Sequence, residues 1–142
     1  MAVSSRHTGI VKNFKRTLGG CKMDVTREEK VEALKTLMEF NPKVIHNIKI
    51  IIKELSGARM DDTDAFLKDI LNAINWEIEV LNGTMDFLNE GKKRIDKESV
   101  NTCIVNLGNA IAEKEDAKIA EAFEKLLPEL EQVQKSAEEV VA

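Results

Sequence analysis

Seven apolar residues in the middle of the chain recur at alternating steps of four and three, the spacing of residues along one face of an α-helix. They are Leu67, Leu71, Ile74, Ile78, Leu81, Met85 and Leu88. A second run has the same spacing and consists of Ile119, Phe123, Leu126, Leu130, Val133, Ala137 and Val140. Long amphipathic helices are stable in water when their apolar faces pack against other helices. The two runs therefore predict an all-α fold, an antiparallel helical bundle.

The N-terminal half of this bundle is expected to contain two helices. Thr26 and Glu29 have the spacing of a capping box, which marks the start of the first helix. Asn41 and Pro42 predict a break near Phe40, because proline suits the first position of a helix and asparagine suits the N-cap before it. The second helix then runs to about residue 56.

Three further helices are expected, joined by short loops. The first covers about residues 63–90 and continues through Gly83, because its apolar spacing keeps phase across that glycine. The others cover about residues 97–113 and 117–140, and Pro128 bends the last one. The sequence thus predicts four to five helices with heptad-like seams, successive helices being antiparallel.

The first 22 residues differ from the rest of the chain. They contain five basic residues and no acidic one, while the whole chain carries −4, so the remainder carries −9. Three interpretations stay open: a disordered tail, a basic arm for nucleic acid or an acidic partner, or a translation artefact. In the last case the protein begins at Met23, since codons for residues 18–20 can contain the ribosome-binding motif AGGAGG. We expect residues 23–142 to form a single domain.

Several classes of protein do not fit the sequence. No apolar run approaches the ~18 residues of a membrane span, and the N-terminus lacks the apolar region of a signal peptide. Two cysteines, Cys21 and Cys103, make no disulfide framework. The acidic body argues against nucleic-acid binding by the bundle. These features predict a cytoplasmic protein that has no membrane partner and whose bundle does not bind nucleic acid.

The sequence holds no recognisable catalytic or metal-binding motif. The two histidines are isolated, and no pair of cysteines or histidines has the spacing of a zinc site. His46 is expected on the surface and Cys103 in the core. The acidic residues Glu77, Glu79 and Glu90 are expected to be surface charges. We therefore predict no enzyme activity, no metal and no cofactor.

Three apolar residues are candidates for contact with a protein partner. Trp76 is the single tryptophan and lies off the main seam, so it either packs at the edge of the core or anchors a partner. Ile50 falls on the polar side of its helix, and Phe87 widens the apolar surface of the central helix. Surplus apolar surface of this kind is typical of proteins that bind a helix.

Two segments resemble small, acidic, uncharacterised helical-bundle proteins of Gram-positive bacteria of the Bacillus and Clostridium type. They are Ile70-Leu71-Asn72-Ala73-Ile74-Asn75-Trp76 and Phe123-Glu124-Lys125-Leu126-Leu127-Pro128-Glu129-Leu130. The resemblance covers about residues 64–133, implies a helical bundle and brings no activity with it. In size and helix layout the chain is also similar to flagellar export chaperones.

Taken together, these features favour a non-catalytic interaction module, an adaptor or export-chaperone-like bundle that binds a partner helix. The partner is a protein, and a second copy of the chain is one possibility. The alternative is a small regulator or a bundle that holds a small ligand between its helices.

Overall fold

The computed structural model describes residues 26–141, and within that range it contains four helices and no strand. They are α1 (Arg27–Leu55), α2 (Thr63–Leu88), α3 (Lys97–Glu113) and α4 (Asp116–Val141). The predicted all-α bundle is confirmed. The predictions for the basic segment and for a start at Met23 lie outside the described residues.

The predicted break at Asn41 and Pro42 is wrong, because α1 is one continuous helix. Proline has no N–H to donate to the carbonyl four residues earlier, that of Met38. The Gln134 side chain of α4 supplies a substitute donor, with its Nε2 atom 3.5 Å from the Met38 oxygen. Asn41 caps nothing: its side chain is fully buried and crosses to α4. Packing against α4 thus carries the helix past the proline.

The central helix, α2, is continuous through Gly83, as expected, and ends at Leu88 rather than Glu90. The centre of its buried face is a line of residues spaced by seven: Thr63, Ile70, Glu77 and Thr84. Some members of the predicted seam, Leu71, Ile78 and Met85, are only partly buried and lie at the edges of this face. The apolar run of α4 has the predicted orientation, being buried from Ile119 to Ala137.

The helices pack as a bundle in which α1 lies against both α2 and α4, while α3 packs mainly against α4. The helices α1 and α2 are antiparallel, since Arg27 pairs with Glu90 near one end and Phe40 meets Trp76 near the middle. This arrangement buries two sides of α1, one against α2 and one against α4, and leaves one side of α3 outside the core.

The ends of the helices are fastened by two arginines. Arg94 donates from Nη1 to the carbonyl oxygens of Leu88 and Glu90, 3.0 and 2.8 Å away, and from Nε to Glu139. It therefore closes the C-terminus of α2 and ties it to α4. At the other end, Arg59 makes a two-bond contact with Asp116 at the start of α4. That contact lowers the pKa of the Asp116 carboxyl.

Candidate functional site

The structure buries two of the three residues that the sequence proposes as partner contacts. On α2, Trp76 is 4% exposed and Phe87 is 5% exposed. The Trp76 ring meets the Phe40 ring edge-on, with the centroids 6.1 Å apart. The Arg27 guanidinium lies 4.5 Å from the centre of the Phe87 ring. Both rings are therefore held within the bundle, and a partner-binding role for them stays a prediction.

The third candidate, Ile50, is partly buried and packs against the core from α1. A partner contact for Ile50 likewise stays a prediction. His46 is exposed, as the sequence indicates. The apolar surface that was expected to be free for a partner on these helices is thus largely buried in the core of the bundle itself.

Cys103 lies at the edge of the core on α3 rather than inside it. Its thiol donates to the Lys125 carbonyl oxygen, with sulfur and oxygen 3.7 Å apart. Burial, with a further contribution from Glu129, raises the pKa of the thiol. The thiolate, which is the reactive form, is therefore disfavoured.

The acidic residue Glu77 lies in the core, so its predicted surface position is wrong; Glu79 and Glu90 are exposed, as expected. The Glu77 side chain is 1% exposed, and neither carboxyl oxygen has a hydrogen-bond partner. Burial raises the pKa of this carboxyl to about 8, because apolar surroundings disfavour its charged form. At neutral pH the bundle therefore contains a neutral carboxylic acid.

The surroundings of Glu77 explain its burial. Its four nearest neighbours on the same face of α2 are one turn before and one turn after it, and all are buried: Ala73, Ile74, Val80 and Leu81. Glu77 thus lies at the centre of an apolar surface, where the short glutamate stem cannot carry the carboxyl to water. Thr63, Ile70 and Glu77 are spaced seven residues apart and so lie on one face of the helix, and this spacing was the feature of the sequence that could have indicated a buried Glu77.

A second buried polar group lies close to the level of Glu77. Asn41 donates from Nδ2 to the Leu130 carbonyl oxygen at 2.9 Å and to Gln134 Oε1 at 3.2 Å. Its own Oδ1 has no partner. Because Phe40 and Trp76 meet, the residues that follow them, Asn41 and Glu77, lie at about the same height in the bundle. The middle of the bundle therefore contains three buried oxygen atoms without a hydrogen-bond partner.

The outward surface of α3 is the second candidate site, and we call it the outer α3 face. Its members are all exposed and all uncharged: Asn101, Thr102, Val105, Asn106, Gly108, Asn109 and Ala112. Val105 is 60% exposed, and only Met60 accompanies it as an exposed large hydrophobic residue in the described part of the chain. Sequence reasoning missed this face because it looked for surplus apolar residues rather than for a lack of charge.

The centre of the outer α3 face has a self-complementary pattern. Asn101, Val105, Gly108 and Ala112 follow one another at steps of four, three and four. A side chain added at Gly108 would meet no atom of this chain within 4 Å. The Val105 side chain therefore projects from this helix face, and Gly108 leaves a gap in it. The two residues lie at equal distances from the middle of the face.

Metal-binding chemistry is not apparent in residues 26–141, where no group of three or more His, Cys, Asp or Glu side chains could hold an ion. In the same range no helix has both the length and the apolar character needed to cross a membrane.

No curated protein and no solved structure matches the chain. A family model described as a domain of unknown function, DUF8042, matches residues 32–136. The match extends from the first turns of α1 to the last turns of α4, so it takes in both Glu77 and the outer α3 face. The chain belongs to the DUF8042 family.

Proposed function

We propose that this protein is a non-catalytic protein–protein interaction module that acts in the cytoplasm and docks a partner helix on the outer α3 face. The observation that carries the proposal is that α3 exposes about three turns without a charge, from Asn101 to Ala112, in a chain of which 32% of the residues are charged. Loss of charge is the compositional feature of the centre of protein interfaces. The exposed Val105 adds an apolar contact at the middle of the face.

The occupant that best fits this face is α3 of a second copy of the chain. Residues 23–142 carry −9, so two copies repel each other unless they approach through an uncharged surface. In an antiparallel pair related by a twofold axis, Val105 of each copy would lie opposite Gly108 of the other. Such a pair would also place Asn101 opposite Ala112. A helix of 17 residues buries little area, so the dimer is expected to be weak.

Sedimentation velocity of the full chain over a concentration series tests the proposal. We expect wild type to self-associate, and Val105→Glu to weaken association at least tenfold, because two carboxylates would be buried in one small interface. Asn72→Glu is the matched control: it adds the same charge to an exposed site on α2. Equal effects of the two substitutions, or a wild-type chain that stays monomeric up to about 1 mM, would contradict the proposal.

A pair of glycine variants separates docking from stability. Gly83 and Gly108 are both exposed within helices and both have free space around an added Cβ. Alanine at either position should stabilise the monomer by about 1 kcal/mol. Only Gly108→Ala should weaken association, because it fills the opening that faces Val105. Association that is unchanged by Gly108→Ala would count against the antiparallel pairing.

A further inference from the structure

The most unusual group in the bundle is the Glu77 carboxyl, and it lies on a different helix from the proposed docking face. Both of its oxygens are inaccessible to solvent and unpaired. A buried polar group without a hydrogen bond is costly, and a buried unpaired charge is far more so. The carboxyl is therefore tolerated in this position only with its proton.

No opposite charge within the described helices offsets that cost. On α1, the titratable residue that faces the core is Glu54, which accepts a hydrogen bond from Thr63 at 2.7 Å. Thr63 precedes Glu77 by fourteen residues on α2, a distance of about 21 Å along the helix. The polar residue that α4 buries is Ser136, and α3 buries only apolar residues.

We propose that Glu77 is a proton-controlled latch for α2: the bundle closes around the neutral carboxylic acid, and loss of the proton favours separation of α2 from α1 and α4. The geometry supports this role because Glu77 lies at the centre of the α2 face, surrounded by buried apolar neighbours. Small adjustments of the side chain therefore cannot hydrate the carboxylate, and α2 itself must move.

The direction of the pH effect follows from the two states of the carboxyl. Its pKa has the ordinary value of 4.5 in an unfolded chain and rises to about 8 in the folded bundle. The contribution of Glu77 to stability is therefore full below about pH 4.5, falls as pH rises, and levels off above about pH 8. Between these limits the folding equilibrium constant should fall about tenfold per pH unit.

Urea unfolding of the full chain at pH 5, 6, 7, 8 and 9 tests the latch. Glu77→Gln keeps the size of the side chain and removes its titration, so the loss of stability toward pH 8 should disappear in this variant. Glu79→Gln makes the same substitution at an exposed neighbour and should follow wild type. If wild type and Glu77→Gln show the same dependence on pH, the proposal is overturned.

Two measurements on the unmodified residue keep the test decisive if Glu77→Gln does not fold. Carbon-13 NMR of the wild-type carboxyls should show one group with a midpoint near pH 8; a Glu77 midpoint near 4.5 would refute the latch. The adjacent Trp76, the single tryptophan of the chain, reports on opening. Its quenching by acrylamide should increase between pH 6 and pH 9 in wild type and in Glu79→Gln, and quenching that is constant over this range would contradict the proposal.

Discussion

Replacing Pro42 with alanine should stabilise the protein, and the sign of this effect decides whether α1 is one helix. A proline inside a helix costs about 3 kcal/mol relative to alanine. The hydrogen bond from Gln134 to the Met38 carbonyl oxygen offsets only part of this cost, because its length of 3.5 Å exceeds the usual 2.7–3.2 Å of an N–H···O bond. Pro42 is exposed, so its removal leaves no cavity. We therefore expect Pro42→Ala to raise the free energy of unfolding by about 1–3 kcal/mol.

Urea unfolding followed by circular dichroism at 222 nm measures this change, and a thermal scan should show a rise in Tm of about 4 °C per kcal/mol. Glu39→Ala, at a nearby exposed position, should change stability by less than about 0.5 kcal/mol. If Asn41 and Pro42 instead began a separate helix, the proline would be favourable at its first position. Unchanged or reduced stability of Pro42→Ala would then refute a continuous α1.

Two further changes probe the core and the start of the bundle by the same urea assay. Phe123→Ala should destabilise the protein by about 3–5 kcal/mol, because the ring is fully buried and leaves a cavity; a loss below about 1 kcal/mol, similar to that of Val105→Ala on the surface, would contradict its place in the core. Thr26→Ala should cost about 1 kcal/mol, since it removes the hydroxyl that accepts the Glu29 N–H at 3.1 Å; no loss would show that the capping box contributes nothing to stability.

The fold could be predicted from the sequence because burial in a helical bundle is recorded in apolar spacing. The run from Ile119 to Ala137 has the predicted orientation, and the helix from Lys97 to Glu113 has the predicted bounds. Continuity through Gly83 also followed from spacing that keeps phase. These features depend on many residues at once, so a single unfavourable residue did not change the result.

The wrong prediction of a helix break arose because the same residues are compatible with two structures. Asn41 before Pro42 has the pattern of a helix start, yet Asn41 also completes the spacing from Leu37 to Val44, with steps of four and three. Tertiary packing decides between them. The Asn41 amide donates a hydrogen bond to the Leu130 carbonyl oxygen of α4, and Gln134 donates to the Met38 carbonyl oxygen in place of the N–H that Pro42 lacks. The local pattern alone contains no information about a donor 96 residues away.

The candidate sites were harder to predict than the fold. Glu77 is charged in water, and composition alone places such a residue on the surface. Glu77 lies at the centre of a helix face, between Ile74 and Leu81. The sequence indicates its burial only once the structure shows that a wide face of α2 is packed against the rest of the bundle. The outer α3 face became apparent only when the structure showed which side of α3 is covered by α4.

The position of α3 at the side of the bundle has a consequence for how the protein opens. Only three residues of this helix are buried, Val100, Leu107 and Ala110, and the helix packs mainly against α4. Its detachment therefore exposes much less apolar surface than detachment of any other helix, so it forms the least stable cooperative unit. Amide hydrogens of α3 should exchange with deuterium earliest, and limited proteolysis should cut first at its flanking loops, leaving α1, α2 and α4 as a protected core.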